Sequence, residues 1–136
     1  MSSFTLNQAN DLLPLVKAIA AELIERRTER LRALKLKEEL EASRSPEGLS
    51  QAIADLELEI ARHDEAILAG RKELEGLGLT VLRMHPLTVH FPGQATAQTL
   101  VFCWMEGDAC IDHGHLVGEE DAPRRPLRVR QRGDVA

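Results

Sequence analysis

The sequence predicts an α+β fold, a long antiparallel two-helix hairpin followed by a small, mainly antiparallel β-sheet. Three observations lead there. Residues 5–90 contain no aromatic side chain, and all four lysines precede Gly76 among many Leu, Ala, Glu and Arg, the strong helix formers. Leu49, Ile53, Leu56, Ile60, His63, Ile67, Gly70, Leu74 and Leu77 are spaced alternately four and three apart, the period of a left-handed coiled seam. After Gly78 the chain turns to Val, Thr, Phe, Gly, Pro and His, a composition suited to short strands and turns.

The first helix has a legible start. Thr5 can cap it while Gln8, three residues on, reaches back to the Thr5 amide, and Phe4 and Ala9 stand where a hydrophobic staple packs. Pro14 removes one backbone bond and predicts a bend at Asn10–Leu13. Leu12/Leu13, Val16, Ile19/Ala20, Leu23/Ile24, Leu31 and Leu34 carry the apolar series to about Glu41. Ser45 and Pro46 then read as cap and first position of the second helix, and Gly76 and Gly78 as its stop. A short connection between two long helices makes an antiparallel hairpin. Residues 1–78 are thus expected to form a helical arm and residues 79–136 a small β subdomain of the same structural unit.

Length bears on assembly. A helix of about 36 residues is roughly 54 Å long, whereas a compact globule of this chain is only about 37 Å across. The arm is expected to expose apolar flanks and to self-associate, as a homodimer forming a four-helix bundle. With the turn near Ser45, Arg27 and His63 face one another as a polar layer that fixes register. A metal site inside the bundle would need Glu-x-x-His. Here Glu59 precedes His63 by four and Ile60 holds the required place.

Strands are expected at Leu79–Arg83, Leu87–Phe91, Thr99–Met105, Cys110–Leu116 and Leu127–Gln131. Residues 106–109 form a turn. If Met105 pairs with Cys110, the cross-strand pairs are Trp104–Ile111, Cys103–Asp112 and Phe102–His113. His113 and His115 then share a face with Phe102 and Trp104, and Cys103, Cys110 and Asp112 take the other. An odd loop length exchanges these faces. The two cysteines are diagonal at best, which argues against a disulfide.

Ligand-capable residues crowd this half. Cys103, Glu106, Asp108, Cys110, Asp112, His113 and His115 fall within 13 positions, with His85 and His90 just upstream. His-x-His on a strand puts both imidazoles on one side, a spacing able to grip Zn²⁺ or another transition metal. The candidate ligands are Cys103, Asp108, His113 and His115. The competing reading is locally bonded strand histidines beside a solvated acidic turn, with no cofactor. A reactive cysteine needs a cationic setting, but Leu79–Pro123 carries six acids and one Arg, which should raise a thiol pKa. No Gly-rich phosphate loop occurs.

The formal charge of −5 argues against a dedicated nucleic-acid binder. The tail is basic, but Arg128 and Arg130 alternating with Leu127 and Val129 read as an edge strand. Arg124 or Arg125 is expected to neutralise Glu119, Glu120 and Asp121 or the turn acids. No stretch approaches the length of a membrane span, the N-terminus lacks a signal pattern, and two cysteines suit a reducing compartment. A cytoplasmic protein is expected.

Several segments resemble a bacterial domain-of-unknown-function family, number 2203. They are Phe4-Thr5-Leu6-Asn7-Gln8-Ala9-Asn10-Asp11-Leu12-Leu13-Pro14, Val89-His90-Phe91-Pro92, Val101-Phe102-Cys103-Trp104 with Gly107-Asp108, and Ile111, His115, Gly118 and Arg125-Pro126-Leu127. Where the family has Gly-Glu and Trp-His, this chain has Gly107-Asp108 and Gly114-His115. The resemblance carries Cys103, Asp108 and His115 over as positions of interest and implies no activity. Two functions follow as expectations: a non-enzymatic homo-oligomeric structural or interaction protein, or a divalent-metal protein, hydrolytic through a metal-bound water.

Overall fold

The computed structural model describes residues 3–43, 46–94 and 100–127. Helix α1 spans Leu6–Glu41, a 3₁₀ turn covers Pro46–Leu49, and helix α2 spans Ser50–Gly76. Strands follow at Thr80–Met84 (β1), Leu87–Pro92 (β2), Leu100–Met105 (β3), His113–Leu116 (β4) and Arg125–Pro126 (β5). They pair antiparallel in the order β1-β2-β3-β4-β5. The class is α+β, as the composition break at Gly76 predicts.

The start of α1 is a capping box. The Thr5 amide donates to Gln8 Oε1 at 2.9 Å and the Gln8 amide to Thr5 Oγ1 at 3.1 Å. Pro14 does not end the helix, which continues as one element to Glu41. The end of α2 is equally local in origin. Gly78 adopts φ 87°, the Leu79 amide donates to the Leu74 carbonyl at 3.1 Å, and the Gly78 amide to the Glu75 carbonyl at 2.9 Å. That is a Schellman stop, with Leu74 and Leu79 both buried as its apolar pair. Ser45, the expected cap of the second helix, lies outside the described residues.

Contacts divide the chain into Ile19–Glu73 and a second unit of Met1–Ala18 with Leu74–Ala136. In the helical unit every seam position from Leu49 to Gly70 is at least half-buried. Gly70 permits close approach, since a Cβ there would lie 2.7 Å from Leu23 Cδ2. Farther along the seam the partners are charged: Arg30 pairs with Asp64, and Lys37 lies 3.9 Å from Glu57. His63 is buried, and the guanidinium that reaches its Nδ1, at 3.3 Å, is that of Arg26. Its Nε2 lies 3.5 Å from Glu59 Oε1, too poorly aligned for a hydrogen bond.

The other unit builds its core on one face of the sheet. Val81, Leu87, Val89, Phe91, Phe102 and Trp104 share that face and are buried, and Ala9, Leu13 and Val16 of α1 are buried in the same unit. Phe4 meets Phe91 edge-on at 5.7 Å. Asn10 holds the segment before β4 by both backbone groups of one residue, donating to the Ile111 carbonyl at 3.2 Å and accepting from the Ile111 amide at 2.8 Å.

The β3–β4 register differs from the expected one. Cys103 faces His113, Phe102 faces Gly114 and Val101 faces His115. The pairings Trp104–Ile111, Cys103–Asp112 and Phe102–His113 do not form, and β4 begins at His113 rather than Cys110. The odd loop moves the pairing by one residue, and a one-residue slip exchanges every side chain between faces. β5 also begins two residues before the expected Leu127; residues 128–131 lie outside the described residues. Both cysteines are free, Cys103 buried and Cys110 exposed.

Candidate metal centre

The corrected register determines what meets on the sheet face opposite the aromatic core. His90 of β2 pairs with Cys103 of β3, and His115 of β4 lies diagonal to Cys103 across Val101. One ligand atom from each of His90, Cys103 and His115 falls within 4.8 Å of the other two. The imidazole centroids are 5.0 Å apart, with planes inclined at 45°. All three residues are buried, at 5%, 1% and 6% exposure.

Their electrostatics are those of groups withdrawn from water. The His90 imidazole is pushed down to about 4, first by burial, then by His115 and Arg83, with Glu120 opposing. The Cys103 thiol is pushed up, chiefly by burial, against the pull of the neighbouring Arg124 guanidinium. The direction is the expected one, but burial rather than the acidic surroundings leads. His90 Nε2 and His115 Nδ1 are buried without a hydrogen-bond partner among the described residues. Unsatisfied buried polar atoms are rare because each carries an uncompensated desolvation penalty of about 1–3 kcal/mol. Two histidines that each carry such an atom, clustered with a buried thiol, form a donor set suited to a borderline-soft cation.

Of the four ligands read from the sequence, Cys103 and His115 come together here. His113 shares the face, opposite Cys103, but its Nδ1 lies 2.6 Å from Asp112 Oδ1 and it stands outside the three-residue cluster. Asp108 belongs to the β3–β4 turn. Its carboxylate accepts the Met105 amide at 3.0 Å and is gripped by both nitrogens of the Arg124 fork, while its carbonyl accepts the Trp104 ring N–H at 3.0 Å. Arg124 holds the Asp108 carboxyl below the usual carboxylate range. The expected neutralisation by Arg124 and Arg125 is found, the second arginine reaching Glu119 at 3.3 Å.

His90 was missing from the sequence-derived set because no β2–β3 pairing was assigned from the sequence, while the even-loop register placed His113 and His115, not Cys103, on the wrong face. The signal that finds it is the β2–β3 pairing, which sets His90 opposite Cys103.

Two cavities flank the cluster. One, of about 300 Å³, is lined by Thr80, Leu82, His90, Pro92, Val101 and Glu120. Glu120 is held there by the Gly118 amide, which donates to its carboxylate at 3.0 Å. The other, of about 210 Å³, has Cys103, His115 and Arg83 in its lining.

The sequence model of a family described as "Uncharacterized conserved protein (DUF2203)" matches residues 2–127. No curated protein and no solved structure matches the chain. Among the described residues no helix is long and apolar enough to cross a membrane.

Proposed function

The chain belongs to the DUF2203 family, and since that description names no reaction, we propose from the site itself that the protein binds a divalent transition metal, zinc foremost, through His90, Cys103 and His115. One ligand atom from each of His90, Cys103 and His115 lies within 4.8 Å of the other two, and each histidine has a buried ring nitrogen without a hydrogen-bond partner among the described residues; these two observations support this reading. A metal ion satisfies all three donors at once and draws the proton from the thiol as it binds. Three protein donors leave a fourth position, the pattern of zinc sites that act on a substrate rather than merely brace a fold. A metal-dependent hydrolase is the enzymatic form of this reading.

Elemental analysis of protein purified without a nickel column is the test. Near-stoichiometric metal is expected in the parent protein and in the His113→Ala and Asp108→Asn variants. His90→Ala, Cys103→Ser and His115→Ala are expected to lose it. A metal-free parent refutes the proposal. Retention by His90→Ala with loss in His113→Ala and Asp108→Asn restores the ligand set Cys103, Asp108, His113 and His115.

A second reading, self-association, is favoured by the helical unit. Leu31, Leu36, Leu58 and Leu68 are 49%, 44%, 53% and 54% exposed, and a second hairpin would remove them from water as a four-helix bundle with a coiled-coil seam. Light scattering should find a homodimer at tens of micromolar. A monomer there overturns it. Two free cysteines suit a reducing, cytoplasmic location for either reading.

A further inference from the structure

Strand β1 carries an irregularity that serves the site. Val81 faces Val89, but Arg83, not Leu82, faces Thr88, so one extra residue is accommodated between them. In an unbroken ladder Arg83 would stand opposite Leu87, on the core face. The bulge puts it opposite Thr88, on the face of His90 and Cys103. Bulges beside functional sites commonly re-aim one side chain in this way.

The re-aimed Arg83, an exposed residue, lines the smaller cavity together with Cys103 and His115. The second arginine of that cavity, Arg124, is committed to Asp108 in a forked pair, whereas Arg83 has no ion-pair partner among the described residues. Asp121 is exposed and also borders the cavity. A divalent metal with one thiolate retains a single positive charge, and Arg83 adds another beside it. At about 210 Å³ the space is smaller than the roughly 300–1,000 Å³ of pockets that hold drug-sized ligands.

We propose that the fourth coordination position of the metal takes a small oxyanion, a phosphate or a short carboxylate, whose second contact is the Arg83 guanidinium. The inference rests on the metal reading above. An anion bridging the two cations satisfies the metal's open position and a fork suited to paired oxygens. Glu120 is a competing occupant. It lies nearby on the His90 side, but its carboxylate is outside the cluster of atoms within 4.8 Å.

The cobalt-substituted protein separates these cases, because the visible absorption of Co²⁺ reports its coordination. Inorganic phosphate and acetate are titrated separately. At least one should change the spectrum saturably, and Arg83→Ala should weaken that anion by about tenfold or more while binding cobalt as the parent does. A spectrum indifferent to both anions, or equal anion affinity in Arg83→Ala, overturns the inference and leaves the metal reading intact. An anion-free spectrum that changes in Glu120→Gln assigns the position to Glu120 and also overturns it. Failure of the parent protein to take up cobalt overturns the metal reading itself, and this inference with it.

Discussion

His90 sits where burial and two neighbouring groups disfavour its charged form. Burial is the largest cause, His115 and Arg83 add to it, and Glu120 alone opposes, leaving the imidazole titrating at about 4. In the unfolded chain the same group titrates near 6.5. Between these values the unfolded state binds more protons, so stability rises with pH through that window. This contribution is complete above about pH 6.5 and is lost as pH falls toward 4, by at most about 1.4 kcal/mol per pH unit. For the metal-stripped protein the midpoint of urea unfolding should therefore fall between pH 7 and 5, and less steeply in His90→Gln. Equal slopes in the two proteins would remove His90 as the cause. The site was only half legible at this scale. Cys103 and His115 stand out as ligand types in a crowded segment, but no spacing along the chain connects them with His90. That neighbourhood exists only through strand pairing.

Elements were readable to the extent that their signals are local. The Thr5–Gln8 pair, the four-three spacing of α2 and the Gly78 stop all lie within a few residues of what they determine, and each appears in the structure. Sheet register is different. It depends on how many residues the 106–112 segment leaves unpaired, and Asn10, about a hundred positions away, helps fix that number by holding both polar groups of Ile111. No glycine or proline within Thr80–Met84 marks the bulge in β1. The Gly78 stop offers a sharp test of the local part. With φ at 87°, a Cβ is strained whatever the surrounding space, and Gly78→Ala should destabilise by about 1–2 kcal/mol in chemical denaturation. Unchanged stability would mean that the stop is held by packing of Leu74 and Leu79 rather than by its backbone conformation.

For the whole molecule, the proposed metal site would link binding to folding. The three donors come from three strands, so the set is assembled only when the sheet is, and a ligand that binds only the folded state stabilises it by mass action. Zinc at a hundredfold its dissociation constant should contribute about 2.7 kcal/mol. For a chain of this size that raises the thermal midpoint by about 10 °C. A chelator should reverse the shift, and Cys103→Ser should abolish it, since a serine hydroxyl is not deprotonated at neutral pH as a coordinating thiol is. His63 provides the internal contrast. It is also buried with an unpartnered nitrogen, but its neighbours are Arg26 and Glu59, and the cluster of ligand atoms does not include it. His63→Gln should therefore keep the zinc-induced shift whatever it does to the metal-free midpoint. A shift that survives Cys103→Ser and disappears with His63→Gln would move the metal from the sheet to the hairpin.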